Sequence, residues 1–166
     1  MYNLHYELEM RPHKKRAMRP PQGLFSHPDY PTCILLPPSQ PFMTVPPFWH
    51  EKIKIGLATH FDTTVTEISK YYQPEHASQW GKVRRLDAGN DMKASSLVKA
   101  QEDTRDAMWI KYDMLVDIHA SRRGRRPQFV TKTFYGQLMH IFVVSFLATP
   151  ALNVESDMVL ILAGIH

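Results

Sequence analysis

The sequence predicts an α+β chain: a Pro-rich extended N-terminal segment, a short helical hairpin, then a small antiparallel β-sheet, curled or partly open as a barrel. Three observations predict it. Between Asp106 and Asp117, Met108, Ile110, Tyr112, Met114 and Val116 fall on one face, while Lys111, Asp113 and Asp117 share the other with Trp109 and Leu115. That is the period of two of a half-buried strand. From Phe134 to Phe146 both alternating faces are apolar and rich in β-branched or aromatic residues, as in a central strand buried on both sides. Finally, ten of the thirteen prolines precede residue 50, dividing the chain into an extended front and a compact back.

A length of 166 residues with a hydrophobic fraction of 43% suits one domain with one core. Three regions are expected within it: a basic, Pro-rich strap over 1–47, a helical segment over 48–80 and a β-rich part over 81–166. A single cysteine, Cys33, excludes an internal disulfide framework and a thiolate zinc cluster, and fits a reducing, intracellular compartment. No apolar run reaches the length of about 18 residues that a spanning helix needs, so no membrane association is expected. The net charge of +4 permits nucleic acid or an acidic partner without requiring either.

In order along the chain, Leu4 and Leu8 are spaced as in the last turns of a helix. The basic run Lys14-Lys15-Arg16, with Arg11 and Arg19 beside it, reads as a solvated linker, with a nuclear address or phosphate contact as alternatives. The strap is expected to hold one strand-like piece, Thr32–Leu36, and to be anchored by Phe25, Tyr30, Ile34, Phe42 and Phe48. Ile53, Leu57, Phe61, Val65, Ile68 and Tyr72 then recur at helical spacing; Asp62-Thr63-Thr64 can cap a second helix, so two short helices and one long one are equally expected, and Pro74 ends whichever forms. A core-packing hairpin is favoured there over a DNA-reading helix-turn-helix presenting Thr64, Thr66, Glu67 and Lys70. Further strands are expected near 82–86, 93–98, 107–117, 128–146 with a bend near Gly136, and 158–165. A Gly89-Asn90 turn joins the first two.

Arg122-Arg123-Gly124-Arg125-Arg126-Pro127 is the densest positive cluster, and Lys82, Arg84 and Arg85 are the second. The first resembles an AT-hook interrupted by Arg126, and non-specific phosphate contact competes with a solvated turn. Asp103, Asp106, Asp113 and Asp117 invite a two-metal reading, but paired surface charges are preferred. His60, His119 and His140 lack metal-ligand spacing, and His140 reads as a hydrogen-bonded core histidine. No nucleophile elbow, Gly-rich phosphate loop or catalytic triad is present. No cofactor, metal or small-molecule substrate is expected.

Several blocks in fixed order, Tyr2-Asn-Leu-His-Tyr-Glu-Leu8, His27-Pro-Asp-Tyr-Pro-Thr-Cys-Ile-Leu-Leu-Pro-Pro38, Leu57-Ala-Thr-His-Phe-Asp-Thr-Thr-Val65, Gln79-Trp-Gly-Lys-Val-Arg-Arg-Leu86, Ala94-Ser-Ser-Leu-Val98, Asp103-Thr-Arg-Asp-Ala107 and Phe134-Tyr-Gly-Gln-Leu-Met-His-Ile-Phe142, resemble the C-terminal region of fungal transposase-like proteins similar to CACTA-type (En/Spm-like) transposases. In that family the acidic catalytic core lies upstream of these blocks. The resemblance implies a non-catalytic accessory fragment that binds nucleic acid or docks on the catalytic part of a transposase in the nucleus, built around a small SH3-like barrel. The alternatives are a protein-interaction scaffold and a decayed transposon remnant. The family pattern extends beyond both ends of the sequence, implying a truncated copy. The nucleic-acid contacts expected are Arg122, Arg123, Arg125 and Arg126, assisted by Lys82, Arg84 and Arg85.

Overall fold

A computed structural model describes residues 2–3, 23–41, 46–87, 89, 91–99, 107–119, 121, 124, 126 and 128–166. The elements are β1 (Tyr2–Asn3), β2 (Cys33–Pro41), α1 (Pro47–His60), α2 (Val65–Tyr71), β3 (Ala77–Arg85), β4 (Asp91–Lys93), β5 (Trp109–Asp117), β6 (Phe129–Phe146) and β7 (Met158–Ile165). The fold is α+β, as the alternation and helical spacing predict. Six strands make an antiparallel sheet, with the two-residue β1 added at the edge of β7. Among the described residues the sheet does not close, so the barrel alternative is replaced by an open sheet. At Tyr2–Asn3 the chain is strand, not the expected helical turn; Leu4 and Leu8 lie outside the described residues.

The helical hairpin forms for local reasons and is held by packing. Pro47 sits in the first turn of α1, where its missing N–H costs nothing. Asp62 takes a positive φ of 49° at the turn, a conformation that aspartate tolerates. The Thr64 hydroxyl then accepts the Glu67 N–H at 3.2 Å, so the cap of α2 is Thr64. Ile53, Leu57, Ala58, Ile68 and Tyr72 are buried against Phe142, Val144, Phe146, Leu160 and Leu162 of the sheet. Complete burial of a side chain such as Leu57 or Ile68 contributes roughly 1.5–3 kcal/mol each. The hairpin thus spends its apolar face on the sheet, and α2 has only seven residues.

The opposite face of the sheet is covered by the strap. Tyr30, Leu35, Val83, Ile110, Leu138, Ile141, Val143, Ile161 and Ala163 form a second buried cluster there. The Tyr30 hydroxyl accepts the Ile161 N–H at 3.2 Å, fixing the strap to β7. The anchors are Tyr30, Leu35 and Leu36, with Phe25 paired to Leu35. Ile34 is only half-buried, Phe48 is 60% exposed, and Phe42 lies outside the described residues, so three expected anchors are not assigned that role. The expected single core is divided by the sheet into two layers.

Strand β6 is the axis of both layers. Phe142, Val144 and Phe146 face the helices, while Ile141 and Val143 face the strap, as alternation requires. One edge of its C-terminal half pairs with β7 and the other with β3. Its N-terminal half pairs with β5 along the edge that β3 uses further on, since Leu138 donates to Met108 O at 2.7 Å while the neighbouring Gln137 exchanges bonds with His166. The sheet therefore forks where β3 turns to β4 and β6 to β5. Burial on both sides holds over His140–Val144 but fails at Tyr135, which is 75% exposed. The register of β6 with β7 shifts between Leu138 and His140, just beyond Gly136, near which a bend is expected.

The strand expected over 93–98 is only Asp91–Lys93. Ala94–Leu97 leaves the ladder because its N–H groups close the fork: Ala94 donates to Gly81 O, Ser95 to Leu138 O and Ser96 to Met139 O, at 2.8–3.1 Å. Gly89 has the positive φ, 67°, that a turn between β3 and β4 needs.

Candidate nucleic-acid interface

Beyond the fork, β5 and the first half of β6 make a two-stranded arm, in unbroken register from Trp109 opposite Gln137 to Asp117 opposite Phe129. Its inner face begins in the core with Ile110, 8% exposed, and continues through Tyr112 stacked on Phe134 at 5.8 Å. Its outer face carries Trp109, Lys111, Asp113, Leu115 and Asp117 on β5, with Phe129, Thr131, Thr133, Tyr135 and Gln137 opposite them. Trp109 is 62% exposed and Phe129 61%, with Leu115 also exposed. Large apolar groups left in water beside charge mark a contact surface better than a core. Trp109 and Leu115 were legible on the charged face of β5. Phe129 and Tyr135 were not: apolar density over Phe134–Phe146 made Tyr135 look interior, and Phe129 lies before that run.

The arm's turn is shaped by Asp117, whose Oδ1 accepts the N–H groups of His119 and Gln128, both at 2.9 Å. Those two bonds hold its carboxyl below the usual carboxylate range. Asp113 accepts from the Thr133 hydroxyl at 2.5 Å. Both aspartates are thus engaged within the arm, whereas Asp103 and Asp106 lie outside the described residues. Of the loop arginines, Arg126 is exposed at the turn, where its carbonyl lies 3.1 Å from His119 Nδ1. Arg122, Arg123 and Arg125 lie outside the described residues.

The second basic group lies away from this turn, on β3. Alternation places Lys82 and Arg84 on one face and Arg85 on the other. The Arg84 guanidinium grips Asp91 with two bonds, 2.5 and 2.9 Å, which depress the Asp91 carboxyl and raise the guanidinium. Lys82 lies opposite Lys93 across the β3–β4 ladder, and both lower the Asp91 carboxyl further. Arg85 pairs with Asp87, its Nε donating at 3.0 Å. Two of these three cations are therefore matched by neighbouring carboxylates.

Between the helices and the fork lies a buried polar chain. Gln79, 2% exposed, donates through Nε2 to Ser96 Oγ at 2.6 Å and to His140 Nδ1 at 2.8 Å, and accepts from Gln40 Nε2 at 2.9 Å. With Nδ1 accepting, the His140 proton sits on Nε2. The ring lies 4.1 Å from Trp49, centroid to centroid, and stacks on Phe142 at 5.2 Å. Burial pushes its pKa down to about 4, so it is neutral at pH 7. It is the core histidine that its place in an apolar strand suggested. A separate shallow groove of about 360 Å³ lies between the end of α2 and the β6–β7 connection, with Lys70, Tyr71 and His76 as its titratable members.

Among the described residues no group of three or more His, Cys, Asp or Glu is placed to hold a metal ion, and no helix is long and apolar enough to cross a membrane. No protein-family model, curated protein or solved structure matches the chain.

Proposed function

We propose that this chain is a non-catalytic accessory module of a transposon-derived protein and that it binds nucleic acid through the β5–β6 arm. The observation that carries the binding is the arm itself: a ribbon with exposed Trp109 and Tyr135 beside Lys111, ending in a turn that holds Arg126. A two-stranded ribbon fits a DNA major groove, aromatic faces stack on unpaired bases, and guanidinium groups meet phosphates. Arg122, Arg123 and Arg125 adjoin Arg126 in sequence and join it in this role. Lys82 adds positive field, whereas Arg84 and Arg85 add little because Asp91 and Asp87 balance them. The transposon origin, the nuclear location, the absence of independent catalysis and the pairing with a catalytic part rest on the resemblance of the ordered sequence blocks.

Fluorescence anisotropy with random duplex, A·T-rich duplex and single-stranded DNA tests the reading. Replacing the four loop arginines with alanine is expected to weaken binding about tenfold or more and to flatten the salt slope by up to about one unit for each phosphate left unneutralised. Trp109→Ala with Tyr135→Ala is expected to weaken single-strand binding selectively, by about 1–3 kcal/mol per base unstacked. Equal binding by the wild type and both variants overturns it. The exposure of Leu115 and Phe129 favours, as a second reading, docking on another protein; partner affinity insensitive to salt would select it. Mg²⁺-dependent nicking that disappears in Asp113→Asn would overturn the non-catalytic assignment.

A further inference from the structure

The arm's outer edge on β5 is built differently from the other edges of the sheet. On β2, Phe25 covers Leu35, and Pro37, Pro38, Pro41 and a register shift interrupt the remainder. These are the usual protections against strand pairing. On β7, β1 pairs with Leu162 and Ala163. Strand β5 has no proline and no bulge, and among the described residues its nine positions pair only with β6. Ile118 donates to Gln128 O at 3.0 Å and Met108 accepts from Leu138, so even-numbered residues bond β6. The N–H and C=O groups of Trp109, Lys111, Asp113, Leu115 and Asp117 therefore point away from it.

We infer that this edge pairs, antiparallel, with β5 of a second copy of the chain about a two-fold axis at Met114. The charges select the arrangement. A two-fold at Met114 sets Lys111 of each copy against Asp117 of the other, twice by symmetry, with Asp113 and Leu115 exchanging backbone hydrogen bonds. The two bonds that Asp117 accepts from the arm's turn both use Oδ1, leaving Oδ2 for the lysine. On the inner face Tyr112 meets Val116, and Met114 meets Met114. A two-fold at Asp113 would oppose that carboxylate with itself. A two-fold at Tyr112 would need the Ala107 carbonyl, which already accepts from Lys93 at 2.9 Å. The arm's other edge, on β6, bears only Lys132 as a charge between Phe129 and Tyr135, so it offers no such complement.

Sedimentation equilibrium from micromolar to millimolar protein, without nucleic acid, tests this independently of the proposed binding activity. The wild type is expected to approach twice the monomer mass of 19.3 kDa as concentration rises. Leu115→Pro removes one outward N–H and none of the bonds to β6, and is expected to stay monomeric with an unchanged far-ultraviolet circular dichroism spectrum. In a Cys33→Ser background, Met114→Cys places two thiols opposite one another and is expected to cross-link on mild oxidation, while Asp113→Cys does not. A wild type monomeric at every concentration, a dimer that survives Leu115→Pro, or cross-linking through position 113 in preference to 114 overturns the inference. If Leu115→Pro alters the spectrum, the cross-linking pair decides.

Discussion

His140 shows how one buried side chain is specified by groups far away in sequence. Its place in an apolar strand announced a core histidine, but its partner Gln79 lies 61 positions away, and only the fold reveals that the amide satisfies it. The same environment sets a pH dependence. The folded pKa is depressed to about 4, whereas an unfolded histidine titrates near 6.5. As pH falls through 6.5 the unfolded chain takes up a proton that the fold refuses. Stability is therefore full above that pH, falls between about 6.5 and 4, and levels off below. The loss from this group is on the order of 3 kcal/mol. Urea unfolding at pH 7 and pH 4.5 measures it, and the step is expected to be absent in His140→Phe. Asp91, whose carboxyl is depressed by Arg84, loses its contribution only at lower pH, as the medium falls below the ordinary aspartate range toward its folded value, so the two effects separate.

At the scale of elements, alternation announces β5 and apolar density on both faces announces β6, and the expected limits of both, like those of β7, lie within about two residues of the observed ones. What the sequence concealed was set by close approach between distant segments. Gly136 suggested a bend, yet its role is to admit β7: an added Cβ would lie 2.6 Å from Ile165 Cγ2 and 2.9 Å from the His166 carbonyl oxygen. Gly136→Ala must displace that chain end and is expected to destabilise by roughly 1–3 kcal/mol in thermal or urea unfolding. Ser95 and Ser96 looked like part of a strand, but the fork in the sheet claims their N–H groups. The arm follows the same logic. Its root, Ile110, is fixed in the core, and Ile110→Asp is expected to cost several kcal/mol by burying a charge. The Trp109 side chain beside it is exposed and part of the proposed contact surface, and Trp109→Ala is expected to leave the unfolding midpoint nearly unchanged.

For the whole molecule, two apolar layers lie on opposite faces of a sheet whose central strand serves both. Trp49 packs in the helical layer and Trp80 against the strap layer, so each reports on one of them. The layers contain residues that alternate along β6, from Ile141 to Phe146, and losing one layer would expose half of every side-chain pair along that strand. Such a strand cannot stay paired with β3 and β7 while one face is flooded, because its backbone bonds serve both layers. The layers are therefore expected to unfold together. With Trp109 and one of the other two tryptophans replaced by phenylalanine, urea unfolding followed by the remaining Trp49 or Trp80 should give coincident midpoints after correction for each variant's own stability. Ile141→Ala in the strap layer and Phe142→Ala in the helical layer should each shift both signals equally, by about 2–5 kcal/mol. A Trp80 signal that responds to Ile141→Ala while Trp49 does not would mean that the strap folds onto an already stable helix-and-sheet unit.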